Sequence, residues 1–213
     1  MSSDSFDSEG KSFSSKDEDT ESKTNPEEPK KTTTKDLINS ISLILTMVLE
    51  ENKHFNNYKE ILKKQSKLIF TAKSIPKISI NDYLLRIQKY SNIENSTFII
   101  ALIYIDRICN YNNIQLNYRN IFKLILASTL VAIKFNEDVH YSLEVYAKIG
   151  GVQPSEMENL EFHFLILIKF ALNVDKKLYD KYSQTLLSFQ DDDDYDEYDE
   201  CEEEREKDDD KSM

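Results

Sequence analysis

The chain has 213 residues and a formal net charge of −12, with three glycines, two cysteines and three histidines. So few glycines exclude glycine-rich phosphate-binding loops and most tight-turned β architectures. Two cysteines exclude a disulfide-stabilised scaffold, and with only three histidines they leave little room for a metal centre. We therefore expect no metal and no cofactor. No His–Asp–Ser or Cys–His arrangement can be argued from the spacing of these residues, so no catalytic residues are expected either.

The acidic charge is concentrated at one end of the chain. Residues 190–213 carry fifteen acids and three bases, whereas residues 36–190 carry fifteen acids and eighteen bases. We expect a disordered polar N-terminal segment over residues 1–35, a folded domain over 36–189 and a disordered acidic tail over 190–213. The domain itself is nearly neutral and lacks a large basic footprint, so no direct nucleic-acid partner is expected.

Targeting signals are not evident in the sequence. The first 35 residues lack the apolar run of a signal peptide. No stretch reaches the roughly 18 apolar residues that a membrane-spanning helix needs. We expect a soluble intracellular protein with no membrane partner, located in the nucleus, the cytoplasm or both.

The middle region predicts an all-α domain, because its apolar residues recur at helical spacing. Ser79 and Asp82 form a capping-box pattern, and the pair Gly150 and Gly151 is typical of a left-handed helix end. Strands are disfavoured because the apolar runs are long and turn residues are missing. In chain order, the predicted helices cover residues 35–49, a segment beginning after Ser79, 97–110, 118–135 (capped by Asn117), 142–150, 154–170 and a segment beginning at Asp175.

Two predicted helices are apolar on every side, over residues 98–105 and over much of 124–135. A helix that is apolar all round must be surrounded by protein. The sequence therefore predicts one central helix inside a cage of other helices.

Four charged residues interrupt these helices: Arg86, Asp106, Lys134 and Glu161. Burying a charge is unfavourable unless it is paired, so each should have a partner in this chain or on another protein. Alternatives remain open for two of them. Lys134 sits near a helix end, where its ammonium group can reach water. Glu161 can instead pair with a lysine of the same chain.

Five ordered blocks of the sequence together resemble the cyclin box. The fourth block in particular resembles the phosphate-system cyclins, also called P-type or U-type. The resemblance extends over roughly residues 37–187. The blocks are YLLRI at 83–87, ALIYIDR at 101–107, AIKF at 132–135, YAKIGGV at 146–152 and LEFHFL at 160–165.

The resemblance implies an all-α fold: a single cyclin box, a five-helix cage around a central helix, with extra N- and C-terminal helices. It also implies a non-enzymatic regulatory subunit that binds and activates a cyclin-dependent serine/threonine protein kinase as a heterodimer. In that family, residues at the positions of Lys134 and Glu161 grip the regulatory helix of the kinase. Residues at the positions of Arg86 and Asp106 form a brace between two helices. The alternative is a cyclin-fold scaffold, or a transcription-associated factor, without a kinase partner.

Three smaller expectations concern residues around these blocks. Glu137 and Asp138 are expected in a solvated loop that is free to contact the kinase, and His163 is expected to be a satisfied core residue. Gln153 is a poor N-cap, so the helix that follows should begin at Pro154 by packing.

Overall fold

The computed structural model describes residues 33–191, and over that range it is all-helical, as predicted. The predicted N-terminal segment and acidic tail lie outside the described residues, except for their inner ends. None of the helices over this range has the length and apolarity needed to cross a bilayer. The helices are α1 (Thr34–Lys53), α2 (Tyr58–Gln65), α3 (Ile80–Ser91), α4 (Asn95–Asn112), α5 (Ile121–Asn136), α6 (Leu143–Gly150), α7 (Pro154–Leu167) and α8 (Lys176–Asp191).

Local sequence signals set several helix ends where they were expected. The Ser79 hydroxyl accepts a hydrogen bond from the Asp82 backbone N–H at 3.0 Å and caps α3. At the end of α6, Gly151 adopts φ +72°, the left-handed conformation that glycine tolerates without strain. Gln153 makes no capping hydrogen bond through its side chain, and α7 begins at Pro154.

Three features differ from the predicted elements. The short helix α2 was not predicted at all. Asn117 does not cap α5, which begins at Ile121 after Asn120; the Asn120 side chain instead accepts from the Asn117 N–H at 2.9 Å and orders the preceding loop. Helix α7 ends three residues early, because Phe170 adopts φ +55° and its N–H bonds back to the Leu165 carbonyl at 3.0 Å.

Of the two helices predicted to be apolar on every side, α5 is the central one. Its residues are buried from Ile121 to Ile133, with Lys123 the one partly exposed side chain among them. It packs against α4, α6 and α7, and residues of α1 and α3 reach it around Leu84 and Ile41. The cage of α3 to α7 is therefore confirmed, with α1 and α8 as the extra N- and C-terminal helices.

Polar side chains of α4 hold the connection between α7 and α8. The Tyr104 hydroxyl donates to the Leu172 carbonyl at 2.6 Å, and Arg107 donates to the Ala171 carbonyl. Helix α8 then packs on α1 and α4. These contacts close the cage on the side of α4 that faces away from α5.

Gly150 and Gly151 offer a matched test of this packing. A Cβ at Gly150 would overlap the Cδ atoms of Leu126, whereas a Cβ at Gly151 would meet nothing within 4 Å. We expect Gly150→Ala to lower the free energy of unfolding by about 1–3 kcal/mol through overpacking. Gly151→Ala should cost about 1–2 kcal/mol, from the left-handed backbone alone. Urea denaturation measures both, and an unchanged midpoint for Gly150→Ala would contradict the close packing of α6 on α5.

Candidate functional site

Two charged residues emerge together where α5 meets α7. In α5, Lys134 is the first exposed residue after the buried run that ends at Ile133. Helix α7 buries Leu160 and Phe164, so that Glu161 between them turns outward. The two helices thus bring opposite charges to the same seam on the outside of the cage.

The two charges bond directly to each other. The Lys134 Nζ lies 2.6 Å and 2.8 Å from the two carboxylate oxygens of Glu161. The lysine side chain is 35% exposed and the glutamate 17%, so the pair is partly buried at the outer edge of the seam. The intrachain partner that the sequence left open for Glu161 is therefore Lys134. A second ion pair, Lys123 with Glu156 at 2.8 Å, joins the same two helices at another point.

Large apolar side chains flank the pair. Phe135 follows Lys134 and is 53% exposed, while Phe162 follows Glu161 and is 57% exposed. Ile166, one turn further along α7, is 47% exposed. We call these five residues the α5–α7 surface. An exposed apolar patch with a polar centre is typical of a protein-interaction site.

The ion pair keeps hydrogen-bonding capacity for a partner. An ammonium group has three donors and a carboxylate about four acceptor positions, and the mutual contact uses only part of each set. Lys134 can therefore still donate to a backbone carbonyl, and Glu161 can still accept from a backbone N–H. Within residues 33–191, no three His, Cys, Asp or Glu side chains lie close enough to hold a metal ion.

The predicted brace between Arg86 and Asp106 is wrong, because the two side chains face different neighbours. Arg86 donates to the Lys148 carbonyl of α6 at 3.2 Å. Asp106 accepts from the Tyr182 hydroxyl of α8 at 2.8 Å. Both charged residues are exposed, so neither needs an ionic partner in the core.

Arg86→Ala should accordingly have little effect on stability. The substitution removes an exposed side chain with one hydrogen bond, and such changes usually stay within about 0.5 kcal/mol. We expect a thermal midpoint within about 2 °C of that of the unaltered chain. Differential scanning calorimetry checks this, and a much larger drop would restore a bracing role for Arg86.

Glu137 has a structural role that the sequence did not indicate. Its carboxylate accepts from the Thr97 hydroxyl at 2.6 Å and from the Glu94 N–H at 3.2 Å, at the start of α4. A negative charge at a helix N-terminus satisfies free N–H groups and complements the helix dipole. Glu137 thus caps α4 from the end of α5, instead of projecting freely from a solvated loop.

Removing this cap should weaken the fold measurably. Glu137→Ala is expected to lower the free energy of unfolding by about 1 kcal/mol and the thermal midpoint by about 2–4 °C. Asp138→Ala is the control, because Asp138 is exposed and next in the chain. Equal midpoints for the two variants in a thermal melt would remove the capping role.

His163 is also placed differently from the expectation of a core residue. The buried positions of α7 are Met157, Leu160 and Phe164, and His163 falls outside that stripe and is exposed. Its Nδ1 lies 2.8 Å from the Asn159 carbonyl oxygen, one turn earlier. The ring is therefore positioned by its own helix, beside the α5–α7 surface.

Comparison with known proteins assigns this arrangement to a family. The family model described as Cyclin matches residues 9–172. The chain belongs to the cyclin family. Its relatives include Cyclin-U4-3 of Arabidopsis thaliana, 37% identical over 147 residues. PHO85 cyclin-like protein psl1 of Schizosaccharomyces pombe is 39% identical over 124 residues, and PHO85 cyclin-7 of Saccharomyces cerevisiae is 32% identical over 178 residues.

These relatives place the protein among the P/U-type cyclins, the subgroup that the sequence resembled. The matches cover 68%, 57% and 75% of this cyclin. They cover 64%, 51% and 62% of the respective relatives, so the chain spans between half and two thirds of the length of these proteins. The helical cage described above is the cyclin box, with α5 as its central helix.

Proposed function

We propose that this cyclin is the regulatory subunit of a cyclin-dependent serine/threonine protein kinase. The observation that supports this most directly is the α5–α7 surface, where Lys134 and Glu161 lie among three exposed apolar side chains. Two relatives are named as PHO85 cyclins or PHO85 cyclin-like proteins, and those names refer to a partner of the relatives.

The proposed binding mode follows from the chemistry of the surface. The regulatory helix of the kinase packs its apolar side chains on Phe135, Phe162 and Ile166. Lys134 and Glu161 then meet backbone carbonyl and N–H groups of the kinase, which every sequence supplies. Such contacts secure the backbone of a partner with little dependence on its side chains.

Activation is proposed to occur by population shift. An active kinase needs its regulatory helix turned inward, where a glutamate of that helix pairs with the lysine that binds the nucleotide phosphates. A partner that binds only this position of the helix draws the equilibrium toward it. Cyclins are regulatory proteins without catalytic activity, and in this proposal the chain supplies no catalytic group.

Reconstitution with purified components tests the proposal. Cyclin-dependent kinases from the source organism are each mixed with the full-length cyclin, and phosphate transfer to a serine peptide is measured with and without it. We expect at least one kinase to form a stable 1:1 complex and to gain activity at saturating cyclin. If no kinase binds, the protein is a cyclin-fold scaffold or a transcription-associated factor instead. A complex whose activity equals that of the kinase alone would contradict activation.

A further inference from the structure

Helix α2 carries a set of lysines that the proposed kinase contact does not use. Tyr58, Ile61, Leu62 and Gln65 are buried or half-buried, so the opposite side of the helix faces solvent. Exposed lysines lie on that side and just beyond it, and we call them the lysine face: Lys59, Lys63 and Lys64 in α2, and Lys67 two residues after its end. Lys59 and Lys63 are four residues apart and hence neighbours on the helix surface, where like charges repel.

The charge of this face is not balanced nearby. Residues 58–77 contain six lysines and a single acid, Glu60. The ion pairs formed within residues 33–191 use Lys53, Lys123 and Lys134, and none uses a member of the lysine face. A partner of opposite charge would therefore remove repulsion without having to displace an existing ion pair.

A matching segment is present in the same chain. Residues 192–204 contain ten acids, two tyrosines, one cysteine and no base. They lie outside the described residues and directly follow α8, which packs on α1. Helix α8 runs antiparallel to α1, because its first half, at Tyr182, lies beside Asp106 and Asn52 near the end of α1. The segment therefore begins beside the N-terminal half of α1, and α2 follows four residues after the other end of α1, which is about 30 Å long. Fully extended, the thirteen residues can span about 45 Å, which exceeds the length of any helix in the domain.

We propose that the acidic segment 192–204 binds the lysine face of α2 as an intramolecular electrostatic contact. Tethering supplies an effective concentration of about the millimolar range, so each charge pair need contribute only a few tenths of a kcal/mol. Bound there, the segment competes with any external acidic protein that approaches α2. A single-stranded nucleic acid fits less well, because its bases stack on several exposed aromatic rings and the lysine face itself contains none; Phe55, before α2, is a single exposed ring.

The cysteine of the segment provides a direct probe. Cys201 lies within the acidic segment, and the other cysteine, Cys109, is half-buried in the domain. Burial raises the pKa of the Cys109 thiol to about 12, so Cys109 is poorly reactive at pH 8. A thiol-reactive spin label will therefore attach to Cys201 in the full chain, and the Cys109→Ala variant checks that selectivity.

The measurement is paramagnetic broadening of backbone amide signals by the label on Cys201. At 0.1 M salt we expect residues 58–68 to lose most of their signal intensity relative to the reduced, diamagnetic sample. Raising the salt to 1 M shortens the Debye length from about 10 Å to about 3 Å and should restore the signals. Broadening that is absent from α2 at 0.1 M salt, or that is centred on another element, would overturn the proposal.

Two charge-matched double variants test the site. Lys59→Glu with Lys63→Glu should abolish the broadening of α2. Lys89→Glu with Lys148→Glu changes the net charge equally but lies in the groove between α3 and α6, and should leave the broadening intact. If the Lys89 and Lys148 variant lost the broadening and the Lys59 and Lys63 variant kept it, the segment would bind that groove and the proposed contact with the lysine face would be refuted. A mixture of two samples tests for contacts between molecules: one carries the spin label but no ¹⁵N, and the other carries ¹⁵N but no spin label. This mixture must show no broadening, since an intermolecular contact would also refute the proposal.

Discussion

Lys134→Glu is expected to weaken kinase binding about 30-fold or more while leaving the cyclin folded. At an interface, a charge that loses its backbone partners costs about 2–5 kcal/mol, and each 1.4 kcal/mol is a factor of ten in Kd. In the isolated chain the substitution replaces a partly buried ion pair by a repulsion with Glu161, which should cost about 1–2 kcal/mol of stability. The thermal midpoint should therefore fall by about 3–8 °C.

The direct contact between the two side chains allows a sharper test than the single variant. In the double variant Lys134→Glu with Glu161→Lys, the ion pair can form again with its charges exchanged. If the pair only fastens α5 to α7, stability and kinase binding should both return. If each charge meets a specific kinase group, stability should return while binding stays lost, and this is the result that we expect.

Lys123→Glu serves as the control. It breaks the other ion pair between α5 and α7, which involves Glu156 and lies away from the α5–α7 surface. We expect a small loss of stability and no loss of kinase affinity, as measured by calorimetric titration. Equal losses of affinity for the Lys123 and Lys134 variants would mean that binding depends on helix packing in general. Full recovery of binding in the exchanged double variant would show the same.

Most of the fold was predictable because its determinants are local. The cap at Ser79, the left-handed end at Gly151 and the proline that opens α7 each act within a few residues. The apolar pattern predicted one central helix but left two candidates, over residues 98–105 and 124–135, and the structure makes α5 the central one. Helix α2 has neither a strong capping signal nor a long apolar pattern. It has only eight residues, and four of them are charged: three lysines and one glutamate. Its place is set by packing of its inner side.

The candidate site was predictable only in part. The resemblance selected Lys134 and Glu161, but their contact depends on where α5 crosses α7, which helical periodicity does not specify. The same limit explains the failed pairing of Arg86 with Asp106. Each lies on a helix of the expected kind, but α3 turns Arg86 toward α6 and α4 turns Asp106 toward α8. Side-chain pairing between helices follows from their rotation in the fold.

Exposure was the other property that the sequence did not reveal. The block at 160–165 is apolar at four of its six positions, and this pattern alone does not say which of the four are buried. In the fold, Leu160 and Phe164 are buried while Phe162 is exposed. The apolar residues of α7 therefore form two separate surfaces: one packs inside the cage, and the other is exposed on its outside.

Phe164→Ala and Phe162→Ala should have opposite consequences for this reason. Phe164 is fully buried, and its ring packs edge-on against Phe70 with 6.2 Å between centroids. Its removal leaves a cavity, and we expect a loss of about 3–5 kcal/mol in the free energy of unfolding. Phe162 is 57% exposed, so its removal should change stability by about 0.5 kcal/mol or less.

Kinase affinity should show the opposite ranking: Phe162→Ala should lose affinity, and Phe164→Ala should lose little. An aromatic anchor of an interface contributes about 2 kcal/mol or more, so Phe162→Ala should raise the Kd at least about 30-fold. Phe164→Ala, studied at a temperature where it remains folded, should keep most of its affinity. Urea denaturation and calorimetric titration of both variants give the four values required. If Phe162→Ala bound the kinase normally, Phe162 would have no role in binding, and the apolar part of the contact would have to rest on Phe135 and Ile166.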